Sequence, residues 1–503
     1  MTLAAYRQAA LALFYLLAVI HPAGGTIDPA DGCEYWVAPP PAGNDKNPGT
    51  ANRPWATLQQ ANKKVPDKHC TVWFRPGVYK GVNRLNRRFE TPTTFAAVIP
   101  YRAVLTGLDS VLTISGAKNV TLTGFDIRHS GPGAAPLLIA IDGSDEGWAE
   151  YVKLRNNLIH DSYNNDLLKV YNLARFITIE NNIFYNQGPP EEHLDINSVT
   201  DVVIQDNIFF NAYEASGRPN HNQSKQFIVI KDSNGAADGL VGSRRVTVRR
   251  NIFLNWQGQD DETFIQVGLD GKPYFEAQDI RIENNLLIGN SNNRVGAAFG
   301  VRGARNVHFV NNTVVGDLPA LAYATRVTIT EQNPKNRNIT FYNNIWSDPT
   351  GTMGSGLDGE PNEFADGDPD ESLNLVLDRN LYWNGPSPIP GGDLFSPLKD
   401  DKRRIVRDPR LAARQKNLVL PLWVPGKGFL SGRKSIRAEF VRLAKQYGEI
   451  PQSSPAVNKA DASLAPRLDL LKRRRDCRPD LGALEFQFAS PCKARTFREL
   501  WRN

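Results

Sequence analysis

Phe176–Asn186 reads FITIENNIFYN: an alternating strand, a polar pair ending in Asn, and a second short apolar strand. Six further segments share the pattern: YVKLRNNLIHD from Tyr151, DVVIQDNIFFN from Asp201, RVTVRRNIFLN from Arg245, DIRIENNLLIG from Asp279, NVHFVNNTVVG from Asn306 and NITFYNNIWSD from Asn338. NVTLTGFDIRH from Asn119 and LNLVLDRNLYW from Leu373 are weaker outer copies. The second Asn falls at 157, 182, 207, 251, 285, 312 and 344, so the first two intervals are 25 residues and the others run from 27 to 44. A repeat of about 25 residues with two or three short strands is the size of one coil of a parallel β-helix, and the longer intervals are coils with inserted loops. Asn suits the sharp bend between the strands because it tolerates the left-handed conformation. Stacked coil upon coil, its amides can bond to one another as a ladder, while the Ile, Val, Leu and Phe on either side fill the bore. One coil cannot bury its apolar face alone, so the predicted stability comes from stacking.

The ends read differently. Residues 1–25 have the form of a signal peptide: Arg7, an apolar run from Ala9 to Ile20, then small residues, with cleavage expected near Gly24 or Gly25. The apolar run is too short to span a membrane, so a secreted or periplasmic chain is expected. Residues 26–404 then hold the β-helix with its N-terminal cap, in which strand EYWVA, helix WATLQQANKKV and strand CTVWFRPGVYKG follow one another. Residues 405–503 lack the repeat and form a C-terminal cap region, with a helix expected around Ile436–Tyr447 and a basic run at Lys472–Arg475. The four cysteines, Cys33, Cys70, Cys477 and Cys492, sit at the two ends. Export favours disulfides; their placement suggests Cys33–Cys70 and Cys477–Cys492, although four cysteines permit three pairings. The formal net charge of +6 suits an acidic partner, or is only a basic surface.

WVAPPPAGNDKNPGTANRPWATLQQA, VWFRPGVYKG, the NNIF repeats, and the closing DPRL (Asp408–Leu411), SSPAVNKA (Ser453–Ala460) and RPDLGALEF (Arg478–Phe486) together resemble bacterial right-handed parallel β-helix repeat proteins of the polysaccharide-lyase type. The resemblance covers nearly all of the mature chain. It implies an all-β, right-handed parallel β-helix solenoid with a helical N-terminal cap and an irregular C-terminal cap. That architecture also carries hydrolases, epimerases, esterases and adhesins, so function has to come from the site. No stretch matches the extracellular pectate-lyase, alginate-epimerase or polygalacturonase signatures, which leaves the sugar open.

A second strand precedes each repeat unit: LLIAIDG (Leu137), DLLKVYN (Asp166), EEHLDIN (Glu191), QFIVIKD (Gln226), ETFIQVG (Glu262) and GAAFGVRG (Gly296). Alternation sends Leu168, Val170, Leu194, Ile196, Ile228 and Ile230 inward, and Asp142, Lys169, His193, Asp195, Asn197, Lys231, Gln266 and Arg302 outward. Lys169 is then one rung from Asp195, Lys231 one rung from Asn197, and Arg302 two rungs beyond Lys231. This row has the groups that β-elimination on a uronic-acid polysaccharide requires. The substrate carboxylate needs a positive charge, from Arg302 or from Ca²⁺ held by Asp166, Glu191, Glu192 and Asp195. The neighbouring proton needs a base: Lys231, then Lys169, with His193 a rival, a lowered lysine pKa being expected from burial or neighbouring cations. Asn197, Gln266 and Trp256 are candidate substrate contacts, and the 25-residue spacing of Asp166 and Glu191 suggests stacked carboxylates. Against this, Lys169–Asp195 is also an ordinary cross-strand ion pair, and Trp256, Tyr274 and Phe275 serve equally as core or loop anchors. Asp366, Asp368 and Asp370 read as a solvated loop rather than a Ca²⁺ loop. The leading reading is a lyase acting on an acidic polysaccharide, as a monomer with no nucleic-acid partner. A glycoside hydrolase or epimerase using the same groove, or a non-catalytic carbohydrate-binding protein, stands as the alternative.

Overall fold

A computed structural model describes residues 33–489, apart from 145–146, 217, 219–222, 290–292, 317–320, 357–361 and 412–417. The expected signal peptide therefore lies outside the described residues. Strands of successive coils pair in parallel register throughout the solenoid, in one sheet of 21 strands and one of 12. The larger sheet wraps a corner: in the strand Leu168–Glu180, Asn172 and Leu173 take positive φ and the register with the next coil shifts. Each coil thus has three faces. The first carries Ile139–Asp142, Leu168–Tyr171, Leu194–Asn197, Ile228–Lys231 and Thr263–Val267, in line with one another. The second carries the alternating half of each repeat unit, and the third its short apolar half. This is the right-handed parallel β-helix expected from the repeat.

The polar pair divides its work between its two residues. The first member takes the left-handed bend at Asn156, Asn181, Asp206, Arg250, Asn284, Asn311, Asn343 and Arg379, with φ between 52° and 61°. The second member forms the ladder, so the bend expected of it belongs to its neighbour. Asn182 Oδ1 accepts from Asn157 N at 2.9 Å and Asn157 Nδ2 at 3.1 Å, and the pattern recurs through Asn207, Asn251, Asn285, Asn312, Asn344 and Asn380. Each of these Nδ2 groups also donates to a strand carbonyl. The last rung ends on Asp401, fully buried, which accepts from Asn380 N and Nδ2 at 2.9 Å. A carboxylate, with no donor of its own, suits an end with no further rung to bond. Inside the bore Phe184, Phe209 and Phe253 stack at 4.9–5.0 Å.

The N-terminal end is closed as expected. Helix Leu58–Lys64, capped by the Thr57 side chain, turns Leu58 and Ala61 into the core, and Cys33 bonds Cys70 beside it. Cys477 is disulfide-bonded too, but Cys492 lies outside the described residues. The C-terminal part is irregular and does more than cap an end. Its helix, Ile436–Gly448, and the segments around it run back along the outside of the third face. There Phe440, Leu443, Tyr447, Leu470 and Leu484 cover Ile183, Ile208, Phe210, Leu254 and Leu286. The basic run pins this segment down: Lys472 meets Asp206 at 3.1 Å, and buried Arg475 meets Glu485 at 2.9 Å and the Asn284 amide oxygen at 2.8 Å. In the acidic loop Asp366 pairs with Arg326 at 2.6 Å and Asp370 lies 3.8 Å from Lys335, as ordinary ion pairs. Among the described residues no helix is long and apolar enough to cross a membrane.

Candidate functional site

The first face carries the polar cluster. Register places Lys169 beside Asp195 and Asn197 beside Lys231, as the alternation predicts. Lys169 Nζ lies 2.6 Å from Asp195 Oδ2. Lys231 and Arg302 stand in one column, two rungs apart, which is about 10 Å at the ordinary strand spacing. Gly268 takes the position between them.

At the entry to this face two residues break the alternation. Asp166 and Glu192 sit together because these coils are in register at an offset of 26, Leu168 opposite Leu194. Glu192, not Glu191, is therefore the residue stacked on Asp166, and its N–H donates to Asp166 Oδ1 at 3.0 Å. Asp166, Glu192 and Asp195 each offer a carboxylate oxygen within 4.8 Å of the others, and all three residues are buried. Asp166 Oδ2, Glu192 Oε2 and Asp195 Oδ1 have no hydrogen-bond partner among the described residues. Burial first, then the Asp195 charge, pushes Asp166 up to about 7. Glu192 is raised well above the carboxylate range by burial and by Asp166 and Asp195. Glu191 is half-buried beside them, and its charge adds to both shifts.

Three buried carboxylates held this close, each with an unpartnered oxygen, are costly unless something positive sits among them. Oxygens about 2.4 Å from a shared Ca²⁺ lie no more than about 4.8 Å apart. The donor set of hard, buried, unpartnered carboxylate oxygens fits such an ion, with Asp166, Glu192 and Asp195 as ligands.

Lys231 differs from expectation. Burial alone would lower its pKa, but Asp195, Glu192 and Asp270 outweigh burial and raise it. Its ammonium lies 3.2 Å from Asp270 Oδ1. Lys169 is raised for the same kind of reason, burial being overcome by Asp195 and Asp166. Arg302 is lowered by burial and by neighbouring Arg326, and its Nε donates to Thr328 Oγ1 at 3.2 Å.

Four expected site residues are occupied by structural work. His193 is not outward: it is fully buried between Phe209 and Phe227, held by Asn211 at 3.1 Å, and burial lowers it to about 3. His193 and Leu194 both point inward because the chain turns a corner there before the strand alternates. Trp256, 1% exposed, packs edge-on against Phe227 and Phe264, so it anchors the core and offers no face to a sugar. Asn197 is engaged with Ser233 through both ends of its amide. Gln266 is buried and donates to Gly268 O at 2.7 Å. Tyr274 and Phe275 are loop anchors, through Asp232 O and Arg305. Sequence reasoning missed Asp270 and Glu276. The only local signal was the Asp-Gly turn at Asp270–Gly271, which says nothing about which rung it faces.

No family model matches the chain, and no curated protein matches its sequence. Solved structures do match in shape. The crystal structure of pectate lyase Pel9A is 14% identical, covering 90% of this chain and 96% of its own, with a TM-score of 0.53. XylC in complex with xylose is 13% identical, covering 90% of this chain and 98% of its own, at 0.50. These likenesses are to the fold: the chain is a right-handed parallel β-helix, an architecture it shares with a polysaccharide lyase along nearly its whole length.

Proposed function

We propose that the protein is an exported polysaccharide lyase that cleaves an acidic, uronic-acid polysaccharide by β-elimination. The observation carrying this is the cluster of three buried carboxylates, each with an unpartnered oxygen, beside Lys231 and Lys169 on the first face. Asp166, Glu192 and Asp195 would hold a Ca²⁺, which would supply positive charge against the substrate carboxylate and make the adjacent C5 proton more acidic. Lys231 removes that proton. Two of the carboxylates that raise its pKa, Asp195 and Glu192, are ones such a cation would neutralise, which would bring its amine closer to the free form. Arg302, two rungs along the same column, binds substrate carboxylate. Lys169 holds Asp195 in place and is the second candidate base. The disulfide Cys33–Cys70 agrees with export.

A hydrolase would need two carboxyl groups flanking the sugar, about 5 Å or more apart; here the oxygens turn toward one another, as chelation requires. Incubation with polygalacturonate, alginate and other acidic polysaccharides, with and without calcium, is the test. The expected result is a calcium-dependent rise in absorbance near 232 nm that Lys231→Ala abolishes. Cleavage giving reducing ends without that absorbance would overturn the lyase reading in favour of hydrolysis, and binding without turnover would leave a carbohydrate-binding protein.

A further inference from the structure

Lys231 is held by a device that the coil repeat does not supply. After the strand Thr263–Val267 the chain leaves the solenoid in a loop, residues 268–276, and returns at the strand Ala277–Glu283. The loop starts under tight constraint. Gly268 has φ 75°, its N–H donates to Ile230 O at 2.7 Å, and a Cβ there would lie 1.6 Å from Arg302 O. The loop ends on Glu276, which is fully buried. Glu276 Oε2 accepts from Leu269 N and Asp270 N, both at 2.9 Å. Its Oε1 accepts from Lys272 N at 3.2 Å and Asn333 Nδ2 at 3.0 Å. Four donors converging on one side chain call for a group that only accepts; Gln would turn N–H donors against N–H donors. Gln332 N donates to Gly271 O, closing the loop from the far side. The outcome is that Asp270, the third of the loop's nine residues, is fixed with Oδ1 3.2 Å from Lys231 Nζ.

We infer that Asp270 is a positioning residue that fixes the Lys231 amine above the first face, and that Glu276 sets Asp270 by anchoring its loop. A lysine side chain has four rotatable bonds, and an amine left to roam loses the orientation that proton transfer needs. Asp270 reaches Lys231 from a loop, and it is not a member of the acidic cluster. The kinetic consequence of this arrangement rests on the lyase reading; the arrangement itself does not.

The test is brief acylation of the full-length protein with acetic anhydride, with each lysine read by peptide mass spectrometry. Asp270→Asn is expected to raise the labelling of Lys231 several-fold, leaving Lys169, paired with Asp195, at its wild-type rate. Glu276→Gln is expected to reproduce that increase although it touches neither lysine. Unchanged Lys231 labelling in Asp270→Asn overturns the proposal, as does an equal rise at Lys169, which would mean general loosening. Wild-type labelling in Glu276→Gln overturns the part given to Glu276. On a polysaccharide that the wild type cleaves and Lys231→Ala does not, Asp270→Asn is expected to lower kcat about tenfold with little change in KM. Full activity of Lys231→Ala would sink the lyase reading, and the labelling in Glu276→Gln, which keeps the Asp270 charge, would still decide the position of the amine.

Discussion

The asparagine ladder and the acidic cluster are built alike: polar side chains, buried, stacked rung on rung at neighbouring strands. They differ in their hydrogen bonds. In the ladder each Oδ1 receives two donors and each Nδ2 has two acceptors, down to Asp401, which ends the series by accepting only. In the cluster each of three neighbouring carboxylates keeps one oxygen without a donor among the described residues. A satisfied polar stack holds a fold together, whereas an unsatisfied one costs stability and persists where a ligand completes it.

Breaking the complete stack should have the largest effect. Asn207→Ala strips the acceptor from Asn182 N and Nδ2 and the donor from Ile179 O. With several buried groups orphaned, the expected loss is about 3–5 kcal/mol in denaturant unfolding, and a loss under about 1 kcal/mol would mean that the ladder is incidental. Completing the incomplete stack should come next. Millimolar calcium is expected to stabilise the wild type by about 2–3 kcal/mol if it reaches a hundred times its Kd. Glu192→Gln should lose that gain while being no less stable than wild type without calcium, because it removes a carboxyl held against its neighbours. A calcium shift that survives Glu192→Gln would place the ion elsewhere.

The pH dependence sharpens the contrast. Asp166 is raised to about 7 in the folded chain, from about 4 when unfolded. Between those values the folded state binds more protons, so stability falls as pH rises, and the cost is complete above about 7. Calcium should therefore stabilise more at pH 8 than at pH 5; thermal melts at the two pH values check this. The smallest effect is expected at His160, which Asp126 and Asp161 hold up at about 9 against the opposing pull of burial. A raised histidine contributes fully below about 6.5, and its contribution fades as pH rises through 9. His160→Asn should abolish a decline in stability between pH 7 and 10 and leave calcium binding alone.

Periodicity decided what could be read in advance. The ladder positions follow from one repeated motif, and Lys169, Asp195, Asn197 and Lys231 fall into line because their strands alternate cleanly. Prediction failed where alternation stops. His193 precedes its strand at a corner where two neighbours turn inward, and a coil offset of 26 rather than 25 put Glu192 in the place expected of Glu191. Asp270 and Glu276 belong to a loop outside the repeat, so no spacing could align them with Lys231. The packing of the C-terminal segment left a trace that went unread. The third-face strands IFY, IFF and IFL are apolar at every position, and a strand apolar on both sides has a cover on both.

The ladder also sets what evolution or a protein engineer can alter. Successive ladder residues are 25, 25, 44, 34, 27, 32 and 36 residues apart, yet every joint has the same geometry. The corner behaves as a standard fitting, indifferent to how much chain lies between one use and the next. New loops can then be grafted at the other two corners, to deepen a groove or change the sugar it admits, without resetting the register of the coils beneath.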